Sequence, residues 1–305
     1  MHKLTNAATG SSDRVSAAKE GGHTGERKEY AGLIEVNGAK IYHEVRGSGP
    51  SVLFIAGATG DGGHFERVAE LLSDEFTVVT YDRRANSRSP RPEGWESTST
   101  EEQSEDAAAL IEALGLAPAA IIGTSGGAII GLDLVIRRPD LLRGAILHEP
   151  AMLSVLPDAE DVMGEIQRVV EGGMRRGGPR GGMEAFLRFF VGDEAFANVD
   201  EQLRERMLGN GENFFERELP SVGPYHPDET TLARVEVPVI VMAGAETSPL
   251  LTETSRWVAA HLNTGLTAVP GGHAPYFDRP EGMARAIRPH LGNLDRHPYS
   301  ENLPR

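Results

Sequence analysis

A serine, a carboxylate and a histidine, met in that order along the chain, are enough for nucleophilic catalysis. Ser125 stands in Gly123-Thr124-Ser125-Gly126-Gly127, between the apolar run Ala119 to Ile122 and an apolar, helix-like segment that ends near Val135. Strand, tight turn and helix around G-x-S-x-G hold a serine hydroxyl at the carboxyl edge of a sheet, with the serine in a strained backbone conformation. Glycines suit the flanks because a Cβ there would crowd the adjoining strand or helix. A serine is a weak nucleophile at neutral pH and needs a base within hydrogen-bond reach. Of the ten histidines, His273 is placed for this, in Gly271-Gly272-His273-Ala274-Pro275 just past the last apolar run. The imidazole in turn needs a carboxylate on its second nitrogen, to fix the tautomer and stabilise the imidazolium. Two fit by position: Glu149, in His148-Glu149-Pro150, and Glu246, in Gly244-Ala245-Glu246-Thr247-Ser248. A developing oxyanion needs two N–H donors. Gly126 and Ala58, the latter in Ala56-Gly57-Ala58-Thr59-Gly60, are the candidates.

These residues require a scaffold, and the patterning supplies one. Leu33 to Val36 and Lys40 to Val45 alternate around Asn37-Gly38, a hairpin signal. Ser51 to Ala56 and Phe76 to Tyr81 are continuous apolar runs, as expected of strands buried on both faces. Helical patterns cover Phe65 to Leu72 and Thr100 to Leu114, and further strands Leu141 to His148, Val237 to Ala243 and Leu266 to Val269. Helices are expected at Leu251 to Leu262 and Glu281 to Leu291. The alternation predicts an α/β fold, a mostly parallel sheet with helices on both faces. Residues 31–150 and 236–292 form the predicted core, and 151–235 a helical lid over the sheet's carboxyl edge, where such folds bind ligands. Within it, Asp158 to Val170, Met183 to Val191 and Asp200 to Leu208 read as helices, and the arginine- and glycine-rich 175–182 as a solvated loop between two of them. Residues 1–30 and 293–305 read as tails.

Net charge is −15, which disfavours nucleic acid and anionic membranes as partners. There is no cysteine, so disulfides, thiolate catalysis and cysteine-based zinc sites are excluded. No apolar run reaches the ~18 residues of a membrane span, and residues 1–30 lack the apolar stretch of a signal peptide. A cytoplasmic location is expected. No metal-binding pattern stands out, and neither a metal nor another cofactor is expected.

Together, the loop Gly57-Ala58, the loop Asp82-Arg83-Arg84-Ala85-Asn86-Ser87-Arg88-Ser89, the elbow Gly123 to Gly127 and Gly272-His273 ahead of Asp278-Arg279-Pro280 resemble the α/β-hydrolase superfamily over about Leu33 to Gly292. The resemblance implies serine hydrolysis of an ester, lactone, amide or related bond through an acyl-enzyme. Three departures matter. Ala56-Gly57 replaces the usual His-Gly; Ala85 and Ser87 stand where glycines are common; and Thr247 occupies the usual acid position after the strand Val237 to Ala243. Some members, including haloalkane dehalogenases and fungal-toxin lactonases, take their acid from the end of the sixth strand, where Glu149 lies. That makes Glu149 the preferred acid and Glu246 the alternative. Dehalogenase and epoxide-hydrolase chemistry is excluded, because those members use an aspartate where this chain has Ser125.

Two other readings compete with this one. Gly57, Gly60 and Gly63, with Asp82 at the next strand's end, echo an NAD(P)-dependent short-chain dehydrogenase. Against it, no tyrosine is followed by lysine four residues on, and the glycine loop follows a hairpin. A cofactor-free oxygenase, a perhydrolase or a non-catalytic ligand binder would keep the same fold. Among Met152, Leu153, Leu156, Phe186, Phe189, Phe190, Phe214 and Phe215, the residues Met152, Leu153, Phe186, Phe189 and Phe190 are the expected pocket wall, suited to an apolar ester or lactone. Glycines at the lid joints predict mobility, with closure as part of turnover. A homodimer is compatible with the sequence but is not read from it.

Overall fold

Asn37 and Gly38 adopt φ of 47° and 71°, the left-handed pair that a two-residue hairpin turn requires. They join β1 (Lys28–Val36) to β2 (Ala39–Gly47). The computed structural model describes residues 28–294. Residues 28–30 therefore belong to β1 rather than to a tail, and the rest of the expected N-terminal tail lies outside the described residues.

The remaining strands are β3 (Ser51–Ile55), β4 (Thr77–Tyr81), β5 (Ala119–Thr124), β6 (Leu142–His148), β7 (Val239–Gly244) and β8 (Leu266–Val269). They form one eight-stranded sheet in the order β1-β2-β4-β3-β5-β6-β7-β8. β2 pairs antiparallel with both β1 and β4, and the remaining neighbours pair in parallel. The strand order reverses between β3 and β5, where Ile55 pairs with Gly123. Ligands of open α/β sheets bind at such a switch point.

Strand periodicity sends alternate side chains to two helical layers. Leu53, Ile55, Ile121 and Leu147 face Leu110 and Ile111 of α2 (Thr100–Ala113), Leu132 of α3 (Gly126–Arg137) and Val258. Val52, Phe54, Ile122 and Ile146 face Val68 and Leu72 of α1 (Glu66–Leu72), with Met283 and Ile287. The last helix runs from Pro280 to Leu294, past the expected end at Leu291 and two residues into the expected C-terminal tail. Leu294 is buried over Gly144, where a Cβ would come within 2.4 Å of its side chain. Residues 295–305 lie outside the described residues.

Between β6 and β7 the chain leaves the sheet for a helical insertion. α4 (Ala159–Val191) absorbs the segment expected to be a loop, and only Gly177 and Gly178 depart from helical geometry. Pro179 lies just past this break, where its ring and missing N–H are tolerated as at a helix start. The two arms fold against each other. A Cβ on Gly173 would stand 2.2 Å from the carbonyl oxygen of Gly181, so only glycine permits this approach. Then follow α5 (Asp193–Ala197), α6 (Glu201–Gly209), α7 (Gly211–Asn213), a π-helical turn at Phe214–Glu218, α8 (Leu219–Val222) and α9 (Glu229–Leu232). The chain returns through β7, α10 (Pro249–His261), β8, α11 (Pro275–Asp278) and α12 (Pro280–Leu294).

Candidate active site

Ser125 has φ 56° and ψ −123°, a conformation that side chains rarely adopt. The turn is held by its tight surroundings. A Cβ on Gly127 would lie 2.1 Å from the carbonyl oxygen of Ile55, and one on Gly123 would lie 2.4 Å from that of Gly127. The Ser125 N–H donates to the His148 carbonyl at 2.9 Å, while its side chain makes no capping bond to α3. Its hydroxyl is thus left at the helix N-terminus and in the wall of a cavity.

Glu149 continues from β6 at the same sheet edge, again with positive φ, at 48°. Its carboxylate is fully buried and three donors converge on it. Oε2 lies 2.5 Å from Nδ1 of His273 and accepts from the Thr247 hydroxyl at 3.1 Å; Oε1 accepts from the Gly244 N–H at 2.7 Å. Burial alone would raise the Glu149 pKa, but the hydrogen bond and charge of His273, with the Gly244 N–H, bring it below the ordinary value. The structure brings Glu149, and not Glu246, to His273. The Glu246 carboxylate is largely exposed and is taken up by Arg279 at 2.6 and 2.7 Å. Thr247, at the acid position left without a carboxylate, supplies a hydroxyl donor to Glu149 instead.

His148 lies behind this pair, fully buried, with neither ring nitrogen hydrogen-bonded and its ring roughly parallel to that of His273 at 6.5 Å. Burial lowers its pKa to about 4, against the opposing charge of Glu149, so it is neutral at pH 7.

Ala58 and Gly126 meet across the elbow: a Cβ on Gly126 would sit 3.8 Å from the Ala58 nitrogen. The loop carrying Ala58 is fastened from behind. Arg83 donates to the carbonyls of Ala56 and Gly57 at 3.0 and 2.8 Å and pairs at 2.7 Å with Glu218 of the insertion. Glu218 also accepts from Asn86 and Asn213 at 2.6 and 2.9 Å. Asn210 donates to the Thr59 carbonyl at 2.6 Å and accepts from the Ser87 N–H. Arg206 bonds the buried Asp61 at 2.7 Å. Asp82, the dehydrogenase rival's ribose ligand, is already occupied by the Gly62 N–H and by Arg88. Ala85 and Ser87 have φ of 59° and 50°, which explains why glycine suits these positions.

Two cavities share Ala58, Ser125, Phe186 and Phe190 in their walls. The larger, of about 70 Å³, continues along Ile129, Ile130, Leu153, Ile166, Phe214 and Val222 to the Arg83–Glu218 pair. The smaller, of about 30 Å³, is closed by His64, Val191, His273, Tyr276 and Phe277. Of the expected wall, Leu153, Phe186 and Phe190 face these cavities, whereas Met152 is buried in the core layer beneath and Phe189 is turned toward solvent. His64, Asn210, Glu218 and Tyr276 were not picked out from the sequence; Arg83 stood only as one member of the loop 82–89, and Thr247 only as the residue that replaces the usual acid.

The sequence profile of the alpha/beta hydrolase family matches residues 52–286. The chain belongs to the alpha/beta hydrolase family. The uncharacterized hydrolase YraK of Bacillus subtilis is 32% identical over 255 residues, covering 80% of this chain and 90% of that protein. The zearalenone hydrolase of Bionectria ochroleuca is 27% identical over 262 residues, covering 82% and 93%. Among solved structures, a thermophilic esterase from Thermogutta terrifontis superimposes with a TM-score of 0.70 at 23% identity, over 88% of this chain and 99% of that one. The enol-lactonase of Burkholderia xenovorans does so at 0.69 and 17%, over 86% and 100%. These two structural likenesses speak for the fold alone. Membership of the alpha/beta hydrolase family removes the dehydrogenase rival, and no helix among the described residues is long and apolar enough to cross a membrane.

Proposed function

We propose that this alpha/beta hydrolase is a serine hydrolase that cleaves a carboxylic ester or lactone of an apolar small molecule through an acyl-enzyme. The observation that carries this reading is the buried 2.5 Å contact between Glu149 and His273, with His273 and the strained Ser125 lining one cavity. Glu149 holds the proton of His273 on Nδ1 and leaves Nε2 as the base. That nitrogen takes the Ser125 proton as Oγ bonds the carbonyl carbon. The N–H groups of Ala58 and Gly126 stabilise the oxyanion. Collapse breaks the ester C–O bond, and His273 returns its proton to the leaving alcohol. Water then attacks the acyl-enzyme, His273 takes its proton, and Ser125 regains one as the acid departs. The helical insertion acts as a lid, and its apolar wall favours an apolar acyl or alcohol group. The similarity to a zearalenone hydrolase supports the hydrolytic part of this reading.

Hydrolysis of p-nitrophenyl esters by the wild type, Ser125→Ala, Glu149→Gln and Glu246→Gln tests it. Ser125→Ala should abolish turnover, and Glu149→Gln should lower kcat on the order of 10⁴-fold. Glu246→Gln should fall within a few-fold of wild type, because its carboxylate is committed to Arg279 at the surface. A wild type inert toward esters and lactones alike would overturn the reading in favour of a ligand binder or a cofactor-free oxygenase.

A further inference from the structure

The two cavities meeting at Ser125 are unequal, and His273 lines only the smaller. This asymmetry orients a substrate, given the serine-hydrolase reading above, on which the inference rests. The leaving oxygen must receive its proton from His273, so the alcohol half of an ester lies on the His273 side. There the space is about 30 Å³, closed by His64, Tyr276 and Phe277. With less than half the volume of its neighbour, the smaller cavity takes the shorter of an ester's two arms. The acyl half, on the far side of Ser125, extends into the larger cavity of about 70 Å³ along Ile130, Leu153 and Ile166. Phe186 and Phe190 stand in both walls and separate the two spaces. The one charged pair in the larger wall, Arg83 and Glu218, is neutralised at 2.7 Å, and the remaining lining is overwhelmingly apolar, so an acyl chain meets little uncompensated polarity.

We infer that the substrate is an ester joining a bulky apolar acid to a short alcohol, rather than a macrocyclic lactone or the acetate of a bulky alcohol. A macrocycle has two long arms in one ring and would have to place one of them in the small cavity.

The test uses the wild-type protein and an isomeric pair, methyl phenylbutanoate and phenylpropyl acetate, which contain the same atoms with the ester reversed. The methyl ester should be turned over with kcat/KM at least about tenfold higher, the discrimination that a misfitted methylene or more produces. Phe277→Ala, which opens the small cavity, should narrow that ratio by raising turnover of the acetate. Leu153→Trp, which fills the large one, should narrow it by lowering turnover of the methyl ester. Equal rates, or a preference for the acetate, would overturn the orientation while Ser125-dependent turnover of both left the hydrolase reading standing. Turnover of an unsubstituted macrocyclic lactone as fast as the methyl ester would also overturn it. Inertness toward every ester and lactone would remove the inference together with the reading it rests on.

Discussion

The two parts of the helical insertion are attached to the core by different physics. Residues 201–222 are joined by buried and half-buried polar bonds: Glu218 to Arg83 and Asn86, Asn210 to Thr59 and Ser87, and Arg206 to Asp61. The α4 hairpin holds on through apolar contact, with Met183 and Leu187 clustered with Ala58 and Phe277 of the core. Among the described residues, its side-chain hydrogen bonds stay within the insertion, as in Arg180 to Glu205 and Arg188 to Asp193. Apolar contacts are non-directional and permit sliding, whereas buried charge pairs fix one geometry or cost several kcal/mol when broken. The polar side also fastens the loop of Ala58. The contrast predicts that movement of the insertion, if it accompanies turnover, is carried by α4, which is broken at Gly177 and Gly178, rather than by residues 201–222.

The sharpest way to break this contrast is Glu218→Ala. It strands the Arg83 guanidinium, itself 4% exposed, and should cost about 3–5 kcal/mol, read as a lower denaturant midpoint with unchanged slope. A cost below 1 kcal/mol would mean that the junction is not fastened by this pair.

Acid should loosen the same side first. His64 belongs to the junction, bonded to Thr59; burial lowers its pKa to about 4, with Asp61 opposing and Arg83 and Arg206 adding to the fall. His148 is likewise lowered to about 4. Between pH 6.5 and 4 the unfolded chain binds protons that these two folded imidazoles refuse. Stability therefore falls as pH falls through that window, by about 1.4 kcal/mol per pH unit for each histidine. Urea midpoints measured from pH 7 to 4.5 check this, and His148→Asn should remove one proton's share of the slope. A stability flat across the window would exclude both assignments. The hairpin has no histidine and contributes nothing to this slope.

The smallest effect belongs to the hairpin's surface. Arg180 and Glu205 are about half exposed, so Arg180→Ala should change stability by less than about 1 kcal/mol. A loss approaching that of Glu218→Ala would erase the distinction between the two parts.

How much of this was legible beforehand follows the range of each interaction. The strand Ser51–Ile55 and the elbow around Ser125 are specified by residues next to one another, and their patterns show it. Glu149 and Glu246 both stood at strand ends, and it was the resemblance to members with the acid after the sixth strand that preferred Glu149. Glu218 and Asn210 were not legible. Their partners Arg83 and Thr59 lie well over a hundred residues away, and within a helix a lone glutamate or asparagine looks like solvated surface. Arg83 was hidden among neighbouring arginines, and only the fold separates it from them. Phe189 and Phe190 show the limit of counting apolar residues. Neighbours in a helix point about 100° apart, so only one of them faces the cavities.

The hydroxyl of Thr247 has a consequence of its own. The ends of β6 and β7 are adjacent and meet at one carboxylate oxygen: Glu149 Oε2, past the end of β6, faces Nδ1 of His273, and Thr247, past the end of β7, donates its hydroxyl to that same oxygen. Two carboxylates there would share one imidazole and repel each other, forcing one to hold a proton. The negative charge can thus be seated on either strand end but not on both, and a hydroxyl at the vacated seat keeps the carboxylate aimed. The sheet edge in effect offers two interchangeable sockets for one charge, so the acid can change its place in the sequence while hardly changing its place in space.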